Sequence, residues 1–269
     1  MNSLDKNSTF THFFIFVMSS KKPRILITND DGYHSDGIIA LENALSEIGD
    51  CFVVAPASEM SGASHSLTLS RPLRIRQIDE RHWTVDGTPT DCVTLAINRI
   101  FSAEAAFDIC VSGINHGANL GDDATYSGTV AGAMEATILG VSGLAFSLVA
   151  NRNHDFTESA KSAAEITQMA IENGLPEKTL LNINVPKGVP HGVRVTKQGF
   201  KDSRPVISEH TDPRGKFYYW IGEERTGFHA SGETDTDFEA IDEGYVSITP
   251  MRSDLTNYQA IEILQNWER

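Results

Sequence analysis

Short apolar runs recurring at intervals along the chain limit its fold more than any other feature. RILIT (24–28), CFVVAP (51–56), FDICVSG (107–113), GLAFSLV (143–149) and TLLNINVP (179–186) lack the strict polar alternation of a half-exposed strand. Strands covered on both faces look like this. Between them lie segments with apolar residues at helical spacing, such as GIIALENALSEIG (37–49) and ESAKSAAEITQMAIENG (158–174), each ending on glycine. The repeated strand, helix, strand order predicts an α/β fold with an open and mostly parallel sheet. In such sheets, right-handed crossovers gather the loops at the carboxyl ends of the strands along one edge, where ligands bind.

Two alternating runs, RPLRIRQI and HWTVDG, interrupt this order and read as an inserted hairpin. GTPTDCV starts a helix clearly, with Thr88 at the N-cap, Pro89 at the first helical position and Asp91 at N3. Beyond about residue 190, KFYYWIG, a glycine-rich stretch and GYVSITPM are β-like, and NYQAIEILQNWE is amphipathic. The expected organisation is therefore a disordered extension over 1–22, a catalytic core over 23–189, and a β-rich arm over 190–269. That arm is expected to end in a helix packed on the core.

The formal net charge of -14 argues against a nucleic-acid polymer as partner, since such proteins bind largely by neutralising phosphates with Lys and Arg. Cys51, Cys92 and Cys110 sit in apolar runs without disulfide or zinc spacing, and read as buried thiols in a reducing compartment. The apolar stretch Phe13 to Val17 is too short for a membrane span and lacks the basic flank of a signal peptide. A cytoplasmic location and no membrane partner are expected.

Four segments carry candidate chemistry. Asp30 and Asp31 directly follow the first strand, and Gly32 allows the chain to turn so that both carboxylates face one site. A plain Asp-Gly turn reads equally well locally. A divalent cation would relieve the repulsion between the pair. SGINHGANLGDD (112–123) combines glycines that let a ligand approach the backbone with the neutral oxygen donors Asn115 and Asn119. YSGTVAGAMEA (126–136) offers a helix start at Ser127, Gly128 and Thr129, where free N–H groups can hold an anion; a small-residue helix chosen for close packing is the alternative. SGASHSLTL (61–69) is rich in hydroxyls. His34, His65 and His116 lie in these segments and are capable of proton transfer, with surface or supporting roles as the simpler reading.

With these motifs assembled, the sequence closely resembles the SurE family of survival nucleotidases. ILITNDDG, SGASHSLTL, GTPTDCV, SGINHGANLGDD, YSGTVAGAMEA, LNINVP and DEGYVSITP carry the likeness and span nearly everything after Arg24. The resemblance implies one divalent cation per subunit, held by Asp30, Asp31, Ser61 and Asn115. An all-oxygen set of this kind suits Mg²⁺ or Mn²⁺ better than zinc. It also implies a Rossmann-like core in three α/β/α layers, hydrolysis of nucleoside 5'- and 3'-monophosphates, cleavage of short polyphosphate in some relatives, and a homodimer or homotetramer with exchanged carboxyl-terminal arms. Asp30, Asp31 and Asn119 are the expected catalytic residues; Asn29, Ser127, Gly128 and Thr129 are expected at the phosphate. The chain departs from many relatives at Ser35 and Asp36, where Ala and Pro are common, and at His65, where Asn is frequent. Two rivals remain at this level: a phosphatase with an Asp nucleophile, which would form an acyl phosphate, and a nucleotide sensor without turnover.

Overall fold

A computed structural model describes residues 22–150, 154–200, 205–223 and 234–268. The expected amino-terminal extension lies, apart from Lys22, outside the described residues. The predicted sheet is present, with nine strands. Strands β1 (Arg24–Thr28), β2 (Asp50–Pro56), β4 (His82–Val85), β5 (Ile109–His116), β6 (Ser142–Val149) and β7 (Thr179–Pro186) run parallel. The short β3 (Ile75–Gln77) pairs antiparallel with β4, giving the expected hairpin, while β4 also extends the parallel sheet beside β2.

Helices α1 (Asp36–Leu45) and α4 (Thr157–Asn173) pack together on one face, and α2 (Pro89–Leu95) and α3 (Gly128–Ile138) on the other. The apolar runs explain the two cores. Ile25 and Ile27 of β1 point with Val53 into the α1/α4 side, whereas Leu26, Phe52 and Val54 point to the α2 side. Every residue of such a strand has a buried partner, so no polar alternation survives in the sequence.

The arm is partly sheet. β8 (Val193–Val195) and β11 (Val246–Arg252) complete the order β3-β4-β2-β1-β5-β6-β7-β11-β8, with β11 antiparallel to β7. β9 (Pro205–Thr211) and β10 (Phe217–Glu223) form a separate hairpin. Helix α5 (Asp237–Asp242) packs on β11, but the terminal helix α6 (Tyr258–Leu264), expected to pack on the core, contains no buried residue. Among the described residues its apolar side chains Ile261, Ile263 and Leu264 stay exposed.

The chain travels from β1 outward to β2 and β4, then returns to β5 and proceeds to β6 and β7. The strand order therefore reverses between β1 and β5. A crevice opens at the carboxyl ends of strands at such a reversal.

The start of α2 has the predicted capping box: Asp91 N–H donates to Thr88 Oγ at 3.1 Å, and Thr88 N–H to the Asp91 carboxylate at 2.9 Å. The same buried carboxylate also accepts from Thr68, through its N–H at 2.9 Å and its hydroxyl at 2.6 Å. One residue thus anchors both the helix and the hydroxyl-rich loop. Replacing Asp91 with Ala leaves several donors unpaired and should cost about 2–3 kcal/mol. At roughly 2–4 °C per kcal/mol for a domain of this size, the melting temperature should fall by about 5–10 °C. A melt of the Asp91→Ala protein indistinguishable from wild type would refute this anchoring role.

Candidate active site

Asp30 and Asp31 occupy the β1 side of the crevice. The chain turns immediately after them, with Gly32 at a φ of +95° and Tyr33 N–H bonded to the Pro56 carbonyl at 2.8 Å. A side chain at Gly32 would press on the Ser58 backbone at 3.2 Å, so the turn requires glycine conformationally and sterically. Asn29, buried beneath, donates its amide to the Gly32 carbonyl at 3.0 Å and to Ser35 Oγ at 2.8 Å. Its donors are therefore committed to the turn, and its Oδ1 has no hydrogen-bond partner among the described residues. Asn29, expected at the phosphate, here shapes the turn that carries the acidic pair.

Asp30 is only 4 % exposed. The start of α3 lies directly against it: a Cβ at Gly128 would fall 2.7 Å from Asp30 Cβ. Thr129 donates its hydroxyl to Asp30 Oδ1 at 2.5 Å, and its backbone also bonds the carboxylate. Burial pushes the Asp30 carboxyl up to about 6, the Thr129 hydroxyl opposes the shift, and the Asp31 charge adds to it. Thr129, expected among the phosphate ligands, is thus chiefly a holder of Asp30. Ser127 is the N-cap, its Oγ accepting from Val130 N–H at 3.1 Å, so its hydroxyl hydrogen and the N–H of Gly128 remain as donors for an anion.

The opposite wall comes from β5, which runs further than the sequence predicts. Strand pairing with β6 continues to His116 after a register shift between Ser112 and Asn115, so Asn115 sits at a strand end rather than in a free loop. Asn115 donates its amide to the Gly117 carbonyl at 3.0 Å, which leaves its Oδ1 as an unoccupied acceptor. His116 approaches Asp31, with Nδ1 2.9 Å and backbone N 3.3 Å from Asp31 Oδ2.

Ser61 follows β2 in an exposed loop tied beside the pair by Met60 N–H to the Asp30 carbonyl at 2.7 Å. Its hydroxyl donates to Glu59 at 2.9 Å. Further along, His65 Nε2 lies 2.8 Å from Glu135, and Thr94 donates to the other Glu135 oxygen at 2.7 Å. The His65 contact, helped by Thr94, holds the Glu135 carboxyl below its usual range against the effect of burial. This anchor of the loop on α3 is invisible in sequence spacing.

Asn119 makes its bonds to β6 and β7. Its backbone N–H bonds Asn184 Oδ1 at 2.8 Å, its amide donates to Ser147 at 2.8 Å, and its carbonyl accepts from Asn182 and Asn184. It secures the glycine loop to β6 and β7. His34 makes an edge contact with the Tyr33 ring at 4.9 Å.

The oxygen donors fit a hard cation. Two carboxylates with one oxygen each held by hydrogen-bond donors, the Asn115 amide oxygen and the Ser61 hydroxyl form an all-oxygen set suited to Mg²⁺ or Mn²⁺. A cation would also lower the cost of ionising the buried Asp30. Among the described residues, no group of three or more His, Cys, Asp or Glu side chains forms a metal cluster, so a cation beside this pair would complete its shell with neutral oxygens. No helix among them is long and apolar enough to cross a membrane.

Comparison with known proteins agrees with this architecture. The family described as "Survival protein SurE" matches residues 25–205. The protein named 5'-nucleotidase SurE of Myxococcus xanthus is 46% identical over 253 residues, covering 93% of this chain and 95% of that protein. The 5'-nucleotidase SurE of Aquifex aeolicus is 46% identical over 250 residues, covering 91% and 98% respectively. A crystal structure of the Aquifex aeolicus SurE protein superposes with a TM-score of 0.82 at 45% identity, covering 92% of this chain and all of that one.

Thr129→Val keeps the volume of the side chain and removes the hydroxyl that supports Asp30. At pH 8 this should lower stability by about 1.5–3 kcal/mol, the range for a bond to a charged group, with Thr129→Ser close to wild type. Urea titration of the metal-free proteins measures it, and equal midpoints for Val and Thr would remove the Thr129 clamp from the account.

Proposed function

The chain belongs to the SurE family, and from that premise we propose that it is a divalent-metal-dependent phosphatase hydrolysing nucleoside monophosphates to nucleoside and phosphate. The observation carrying this reading is the meeting of Asp30, Asp31 and the free Asn115 oxygen with the open start of α3 at the sheet reversal. The 5'-nucleotidase names of the relatives support the substrate class. Activity on 3'-monophosphates and on short polyphosphate belongs to the same reading, resting on the family likeness.

Asp30, Asp31, Asn115 and, once its hydroxyl leaves Glu59, Ser61 would hold one Mg²⁺ or Mn²⁺. The cation would supply Lewis acidity at a phosphoryl oxygen and acidify a bound water. Gly128 N–H and the Ser127 hydroxyl take the remaining phosphoryl oxygens, with the positive end of α3 favouring their charge. Asn119 acts by fixing the glycine loop. The burial of Asp30 and its bonds to Thr129 favour water over this carboxylate as the attacking group.

Self-association as a homodimer or homotetramer is part of the proposal. Its support is the exposed apolar surface of the β9–β10 hairpin, including Tyr219 and Trp220, and of the terminal segment, including Ile263 and Trp267.

The test is phosphate release from a panel of nucleoside 5'- and 3'-monophosphates and p-nitrophenyl phosphate, under Mg²⁺, Mn²⁺ or chelator. Turnover should require the divalent ion and return on its replacement. Asp30→Asn should lose about 10²-fold or more in kcat while remaining folded. Turnover that survives complete metal removal rejects the metal-dependent reading. Tight nucleotide binding without phosphate release under any divalent ion rejects the enzymatic one.

A further inference from the structure

The two carboxylates are held by different parts of the fold. Asp30 is fixed by Thr129 at the start of α3, as described above. Asp31 is met from the other side by His116, through the ring Nδ1 at 2.9 Å and the backbone N–H at 3.3 Å, both on Oδ2. A carboxylate oxygen accepts, so Nδ1 carries the hydrogen in this contact. The ring packs against two others. It stands edge-on to Phe156 at 4.9 Å and 89°, and edge-on to His154 at 4.9 Å and 86°. Phe156 is itself buried in the core between the sheet and α1/α4.

We propose that His116 is a positioning residue for divalent-cation binding: its Nδ1–H, fixed by the rings of Phe156 and His154, locks Asp31 so that its Oδ1 and the neighbouring Asn115 oxygen present one site. This rests on the metal-dependent reading above. The His116 Nδ1 is committed to Asp31, so the ring meets the acidic pair through that nitrogen alone. Its contribution is to select one carboxylate rotamer before the ion arrives. Partners that orient a metal-ligating carboxylate are typically worth about 10- to 100-fold in metal affinity.

Substitution separates the hydrogen bond from the packing. His116→Phe preserves a ring against Phe156 and His154 but has no donor. His116→Asn loses the ring yet offers an amide N–H close to the position of Nδ1. Mn²⁺ binding to the metal-free proteins, followed through the free-ion electron paramagnetic resonance signal, gives a readout independent of turnover. We expect His116→Phe to bind Mn²⁺ about 10- to 100-fold more weakly than wild type and His116→Asn to recover most of the difference. In assays, His116→Phe should show a raised Mn²⁺ requirement with kcat largely restored at saturating ion. Mn²⁺ affinity of His116→Phe equal to wild type would overturn the proposal, as would His116→Asn binding as weakly as His116→Phe. Absence of Mn²⁺ binding in the wild-type protein would instead overturn the metal-dependent reading on which it stands.

Discussion

Two adjacent carboxylates at the end of a buried strand form the constraint around which the rest of this site is arranged. Placed side by side they repel, and burying either one raises the cost of its charge. Asp30 is almost wholly covered, and its carboxyl is pushed up to about 6 in consequence. The fold answers with a hydroxyl, an imidazole and backbone N–H groups rather than with lysine or arginine. The Thr129 hydroxyl supports Asp30, while the ring and backbone of His116 support Asp31. These donors moderate the cost without cancelling the negative potential. An acidic site held this way remains attractive to a cation, which a paired lysine or arginine would have prevented.

That arrangement depends on chain order in the sheet. β1 lies between β2 and β5, so the loop after each of these strands converges on Asp30 and Asp31. Met60 bonds the Asp30 carbonyl from the β2 side, and His116 reaches Asp31 from the β5 side. Helix α3 then descends onto Asp30, at an approach that a residue larger than Gly128 would block. The outer loops are secured by two further carboxylates. Asp91 holds Thr68 and the start of α2, and Glu135 holds His65 and Thr94.

Much of this was legible in the amino-acid sequence, and the remainder was not for definable reasons. Apolar runs such as RILIT and CFVVAP encode strands buried on both faces, so the parallel sheet followed from pattern alone. Thr88, Pro89 and Asp91 encoded a helix start because capping chemistry is local. Side-chain partners across strands are not local. The contacts between His116 and Asp31, and between Thr129 and Asp30, join residues 85 and 99 positions apart. Sequence therefore identified Thr129 as a donor near an anion, while the fold turns that donor onto Asp30. Asn29 differs for a similar reason: its place beside the acidic pair suggested ligand contact, but the turn at Gly32 captures both amide hydrogens.

The distribution of positive charge bears on the proposed choice of substrate. The chain carries 22 Lys and Arg against 36 Asp and Glu, and several of its arginines lie away from the acidic pair on the β3–β4 side of the sheet. There Arg71 and Arg74 lie within reach of Asp86, and Arg81 pairs with Asp50. A polymer backbone needs a track of uncommitted cations, because its affinity comes from many phosphates neutralised together. The candidate site instead concentrates its attraction for phosphate in a single short stretch, the Gly128 N–H and Ser127 hydroxyl at the start of α3 beside the proposed cation. One terminal phosphate suffices to occupy that stretch. The same charge balance that weakens binding of a long nucleic acid therefore leaves a small phosphate monoester as the substrate this geometry favours.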